Sequence, residues 1–269
     1  FGWRWNFFIA LPVAIAAIIL LQLTLHLPKH AKRKVHIDYL GAVLIAGGVS
    51  LLMIWVTLAG NQFGWASLAS FLMVAGSALL LIAAVIVEFK SPEPIIPLSM
   101  FKNRTFTLAV VASISVGVSM FGTSVFLAQY MQLARGATPT QSGLLTIPMM
   151  AGLLIASTLF GGIISRTGKW KAIMISGGVL TVLGTILLGT LTYETSLVLV
   201  GIYMAVLGAG LGMLMQNLVL VVQNSIEVKN LGVATSAVTF FRSLGGTVGV
   251  SVLGSVLGTI VATHIKDDI

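Results

Sequence analysis

Residues 166–191 read RTGKWK followed by AIMISGGVLTVLGTILLGTL. Three basic residues, Arg166, Lys169 and Lys171, stand directly before twenty residues without a charge, from Ala172 to Leu191. A hydrocarbon core ~30 Å thick needs about 20 apolar residues in a helix that rises 1.5 Å per residue. The second string supplies that length. The first supplies a cationic flank of the kind that stays on the cytoplasmic side. Together they read as a membrane helix entered from the cytoplasm.

The same pattern recurs outward in both directions. Apolar spans run from Asn6 to His26, Tyr39 to Ala59, Ser67 to Val87, Thr107 to Met131, Ser142 to Ile164, Ala172 to Leu191, Ser196 to Val222, and Val233 to Ala262. Eleven of the fifteen basic residues fall in four alternate connections. These hold Lys29, Lys32, Arg33 and Lys34; then Lys90, Lys102 and Arg104; then Arg166, Lys169 and Lys171; then Lys229. The intervening connections hold only Arg135. This alternation puts both ends of the chain outside. The fold class is therefore an all-α polytopic membrane bundle with about eight transmembrane helices, integral to the cell membrane and partnered by the lipid bilayer.

Composition agrees. Hydrophobic residues make up 57% of the chain and charged residues 8%, with a mean hydropathy of +1.06. A soluble domain carries about 25% charged residues. The 29 glycines are spread through the apolar stretches, as suits helices that pack closely through small residues. The net charge of +8 does not indicate nucleic acid, which would need contiguous basic residues interleaved with aromatics.

The remaining chemistry classes find no support. There is no cysteine for a disulfide or thiolate metal site. His26 and His30 are four apart, but Pro28 lies between them and no third ligand is near, so no metal is expected. Gly162 to Gly168 superficially resembles a phosphate loop. It has one residue too many between its glycines, and Trp170 follows Lys169 where Ser or Thr is needed. No Ser-His-Asp arrangement or deep carboxylate pair can be assembled. The chain reads as a non-enzyme without a cofactor. Asp38, Glu88 and Glu93 border cytoplasmic ends, solvated or paired with nearby Lys and Arg.

Several motifs together resemble one known family. Trp3-Arg4-Trp5-Asn6-Phe7-Phe8-Ile9-Ala10-Leu11-Pro12 is similar to the start of the sixth span of major facilitator superfamily drug:proton antiporters with fourteen spans, the EmrB/QacA-like group. Asp38-Tyr39-Leu40-Gly41 resembles the start of their seventh span. Pro97-Leu98-Ser99-Met100-Phe101-Lys102-Asn103-Arg104-Thr105-Phe106 resembles the connection into the ninth. Leu231-Gly232-Val233-Ala234-Thr235, then Arg242-Ser243-Leu244-Gly245-Gly246-Thr247-Val248-Gly249, resembles the thirteenth.

On that resemblance the chain is an internal piece holding spans six to thirteen, without the first five and the fourteenth. Residues 1–37 would be the last helix of the N-terminal bundle plus a basic cytoplasmic loop, and 38–90 an inserted pair of helices. Residues 91–106 would be an extended, proline-containing cytoplasmic connection, and 107–269 five helices of the C-terminal bundle. The resemblance implies proton-coupled efflux of lipophilic, often cationic, compounds by alternating access. Partners would be the small lipophilic substrate, protons and the N-terminal helices. The family's residues for proton coupling lie in that N-terminal half and cannot be carried over. Rival readings are export of a metabolite, peptide or siderophore, a non-transporting sensor or scaffold, and an inactive truncated product.

Candidate site residues follow from membrane energetics. Arg242 lies about ten positions, or roughly 15 Å, into the last span. Arginine at a helix centre costs ~2.5–3.5 kcal/mol on insertion scales, so a partner or wet cavity is expected. Gly245, Gly246 and Gly249 share its face and read as packing positions. In the seventh span Gly208, Gly212 and Gln216 form one stripe and Asn217 belongs to the stripe beside it. Either interhelical glue or a substrate contact would satisfy the amides. In the fourth span Met120 and Ser124 share a face that is either cavity lining or ordinary core. Pro148 should bend the fifth span. Gly161, Gly162, Arg166, Gly168 and Lys169 resemble a degenerate copy of the superfamily's cytoplasmic gating motif. Ser165 stands where that motif has Asp, so a simple positive-inside anchor is the equal alternative.

Overall fold

Helix starts in this chain are written by short polar residues. Asp38 accepts the Gly41 N–H on Oδ1 at 2.7 Å and opens α2, Tyr39–Leu58. Ser67 opens α3, Leu68–Lys90, and Ser196 opens α8, Leu197–Ser225, each through its hydroxyl oxygen. Asn103 accepts from Thr105 and Phe106 and opens α4, Arg104–Gln129. Each cap satisfies N–H groups that the first turn leaves without a carbonyl. The other helices are α1, Trp5–Thr24; α5, Pro139–Leu144; α6, Ile147–Thr167; α7, Trp170–Gly189; and α9, Leu231–Asp267.

The computed structural model describes residues 5–25, 38–59, 62–91, 94–95 and 97–267. Arg4, His26, Pro28, His30, the four basic residues within 29–34, Asn61, Pro92 and Glu93 lie outside the described residues. No strand forms among the described residues. Seven helical segments are long and apolar enough to cross a membrane, and α1 contributes a shorter apolar stretch, Leu11–Thr24. Contacts divide the chain into Phe1–His36, represented by α1, and Ile37–Ile269, which holds everything else.

Two expectations are corrected. The fifth span is not one bent helix from Ser142 to Ile164, because it breaks at Leu145 and Thr146 between α5 and α6. Pro148 has no N–H for the Leu144 carbonyl, and its ring would press on that carbonyl if the helix continued. The chain instead stops and restarts, which puts Pro148 in the first turn of α6, where a missing N–H costs nothing. The connection before α4 is not extended throughout either. Leu98–Lys102 forms a 3₁₀ turn, and α4 begins three residues earlier than the expected span.

Membrane helices gain little from the hydrophobic effect once inserted, so packing and hydrogen bonds hold them together. The α2–α3 hairpin shows this, with the Ser77 hydroxyl donating to the Gly48 carbonyl at 2.8 Å. At its outer end Trp55 and Trp65 meet edge to face, with centroids 5.5 Å apart. On the far side of α2 the Thr57 and Ser251 hydroxyls stand 3.5 Å apart, joining α2 to α9.

Helix α8 is the centre of the bundle. Val200, Met204, Leu207, Leu211 and Val222 are fully buried in one cluster with Phe106 of α4, Met149 of α6 and Val238 of α9. Gly177 and Gly184 of α7 face Met213 and Leu207 of α8 so closely that a methyl group would collide, at 2.8 and 2.7 Å.

Candidate functional site

Arg242 sits where α9 crosses α4. Its carbonyl oxygen occupies the space a side chain on Gly117 would need, and the Gly246 nitrogen is 2.9 Å from the same point. Gly245 packs on the backbone of Ile114, Gly246 on the ring of Phe121, and Gly249 on Val118. The seam is thus backbone against backbone at Gly117 and Gly245, while side chains of α4 lie on Gly246 and Gly249. The Arg242 side chain leaves this seam half-buried. Among the described residues no hydrogen bond or ion pair reaches its guanidinium.

A second seam joins α8 to α6. Gly208 and Gly212 lie against the backbones of Met149 and Leu153, and Gly152 faces the Ala205 carbonyl. Gln216 continues this face and is exposed, with Cγ 3.9 Å from the position a Gly161 side chain would take. Asn217 is one residue further round and fully buried. Its amide nitrogen donates to the Met213 carbonyl of its own helix, while Oδ1 has no partner among the described residues. Gln223 donates to the Thr235 hydroxyl at 3.1 Å and ties α8 to α9.

The other candidates are more ordinary in their surroundings. Met120 is half-buried against the core, and the Ser124 hydroxyl donates to the Met120 carbonyl within α4. Arg166 and Lys169 are exposed, with no ion pair among the described residues. Ser165 donates to the Gly161 carbonyl at 3.0 Å, Gly162 has open space around it, and Gly168 ends α6 in the left-handed conformation at φ 68°. In this arrangement the segment is a capped helix end with solvent-facing cations. Glu88, by contrast, is buried and accepts the Ile95 N–H at 3.2 Å.

Two grooves open on the bundle. One, of about 540 Å³, lies between α4, α7 and α8; the other, of about 880 Å³, lies between α4, α7 and α9. Arg242, Gln216, Asn217, Met120, Ser124 and Pro148 line neither.

Sequence reasoning passed over three structural residues. Asn103 caps α4 and also donates from Nδ2 to the Ser225 carbonyl at 2.8 Å, clamping the end of α8. Arg135 donates to the Thr195 carbonyl at 2.6 Å and Tyr130 to the Thr192 carbonyl at 2.7 Å, pinning the outer α7–α8 turn onto the π-helical end of α4. The Asn103 cap had a visible signal, an Asn just before a helical run. Carbonyl partners far along the chain leave none. Glu227 and Lys229 form an exposed ion pair at 2.7 Å before α9, and that lysine holds the Glu227 carboxyl below its ordinary pKa.

Comparison with known proteins adds a family. Residues 1–250 match the model of the Major Facilitator Superfamily. An uncharacterised MFS-type transporter of Mycobacterium tuberculosis is 37% identical over 254 residues, covering 94% of this chain and 37% of the relative. The multidrug transporter protein MdtP of Bacillus subtilis is 34% identical over 266 residues, covering 99% of this chain and 49% of the relative. A tetracycline resistance determinant of Streptomyces rimosus is 32% identical over 236 residues, covering 86% of this chain and 66% of the relative. The chain thus spans between about a third and two thirds of the length of these curated relatives.

Proposed function

Since the chain belongs to the Major Facilitator Superfamily, an integral multi-pass family of the cell membrane, we propose that it is part of a secondary active exporter. Within the superfamily we assign it to the fourteen-span EmrB/QacA-like drug:proton antiporters. Residues 107–269 supply most of the C-terminal bundle and 1–37 the end of the N-terminal one, with 38–90 the inserted pair. The cargo is a lipophilic compound, and protons moving the opposite way drive it out. Relatives described as a multidrug transporter and a tetracycline resistance determinant support this reading.

One observation carries it furthest, the Arg242 guanidinium inside a span with no hydrogen-bond or ion-pair partner among the described residues. Intramembrane charge that nothing neutralises locally is a functional hypothesis by default. Its partner is either an acidic residue of the N-terminal bundle or an acceptor group on the cargo. Met120, Gln216 and Pro148 are secondary candidates along the same route.

The test uses the whole protein in liposomes acidified inside. Proton outflow should drive uptake of a fluorescent lipophilic dye, and dissipating the pH gradient should stop it. Uptake indifferent to the gradient would overturn proton coupling. Gradient-driven uptake of another solute, with none of the dye, would overturn the cargo.

A further inference from the structure

The smaller groove has a shape and polarity that the transport reading does not use. Along α4 it runs from Thr105 to Ser119, about 21 Å, and along α7 from Trp170 to Val182, about 18 Å. One leaflet of a hydrocarbon core is about 15 Å deep. The groove is therefore somewhat longer than one leaflet and well short of the full ~30 Å core. Its walls are apolar, with Leu108, Ala112, Ile175 and Val182 facing one another, and Leu214 and Val221 of α8 form the floor.

Its charge lies at one end. Trp170 and Lys171 line the mouth where α7 begins, and Lys169 precedes them in the chain, exposed and without an ion-pair partner among the described residues. Among the described residues no acidic one lines the groove. By the positive-inside rule this mouth is at the cytoplasmic interface, where indoles settle at headgroup level.

We propose that this groove binds one anionic phospholipid of the cytoplasmic leaflet, with an acyl chain between α4 and α7 and its phosphate at Lys171. Three features match that ligand and no water-soluble one: apolar walls somewhat longer than one leaflet, a single cationic mouth, and a lateral opening through exposed Leu108 and Ile175. A free phosphate would engage the mouth alone.

The test is native mass spectrometry of the full-length protein with phosphatidylglycerol and phosphatidylcholine of identical chains. The wild type should retain phosphatidylglycerol preferentially. Lys171→Ala should reduce that preference about fivefold, as one lysine near an anionic surface predicts. Gly178→Leu should abolish retention of both lipids, because Gly178 lines the groove and a side chain there meets no atom within 4 Å. Equal retention of the two lipids by the wild type, unchanged retention by Gly178→Leu, or displacement of the lipid by inorganic phosphate would each overturn the proposal.

Discussion

The carbonyl oxygen of Arg242 lies where a side chain on Gly117 would have to be. Helices α4 and α9 meet there without an intervening layer of side chains. Gly117→Ala forces the two backbones apart and should destabilise the protein by about 1–3 kcal/mol, the usual range for overpacking. Gly162→Ala is the control, since nothing stands within 4 Å of that position and alanine suits a helix better. The thermal midpoint of the purified full-length protein should fall for the first variant and stay or rise for the second.

Arg242→Ala should separate transport from folding. The guanidinium has no partner among the described residues, so its removal strands no buried group within them. The expected result is dye transport at least tenfold lower, roughly a single lost charged hydrogen bond, at an unchanged thermal midpoint. Arg242→Lys should recover part of the rate. Full transport by the alanine variant would remove Arg242 from the mechanism.

Asn217 is expected to behave in the opposite sense. Its Oδ1 is buried without a partner among the described residues, a penalty of about 1–3 kcal/mol. Asn217→Leu should leave the midpoint unchanged or raise it, while Asn217→Asp, which buries a charge, should lower it at a cost in stability of about 3 kcal/mol or more. A large loss with leucine would show that something outside the described residues pairs with that oxygen.

Asn103 joins the start of α4 to the end of α8. Asn103→Ala loses the cap, worth about 1 kcal/mol, and the bond to the Ser225 carbonyl, worth about as much again. Asn103→Asp keeps the cap and loses only the donor, so it should cost about half. Thermal melts of the two variants read the difference directly.

The Glu227–Lys229 pair should matter little. The carboxyl is held below its ordinary pKa, so any stabilisation is present at neutral pH and lost as the pH falls through that lowered value. Both side chains are exposed, and solvent screens the interaction. Glu227→Gln should give a melting curve indistinguishable from the wild type at pH 7. A clear drop would mean that the junction before α9 has a partner elsewhere.

What could be read in advance was what depends on local hydropathy and spacing. The start of α2 at Tyr39 and the body of α8 follow from apolar runs bounded by polar caps. The break at Leu145 was not legible, because Pro148 is compatible both with a bend and with a restart, and only packing chooses between them. Gly117 could be placed only on the face it shares with Met120 and Ser124, and Gly152 and Gly184 showed nothing beyond being glycines in apolar runs. Their roles are set by Arg242, Ala205 and Leu207, residues far along the chain. Arg242 itself was conspicuous by charge alone, but its lack of a polar partner among the described residues depends on the packing of distant helices.

Helix α9 is 37 residues long, about 55 Å, against a hydrocarbon core of about 30 Å. Tilt alone would have to approach 57° to absorb the difference, beyond the 0–40° found for membrane helices. Part of α9 therefore stands clear of the hydrocarbon as a lever, with its fulcrum at the α4 crossing. A rotation of only 10° about that crossing would sweep Asp267, about 38 Å away, through about 7 Å. Small rearrangements around Arg242 thus become large displacements at the membrane surface.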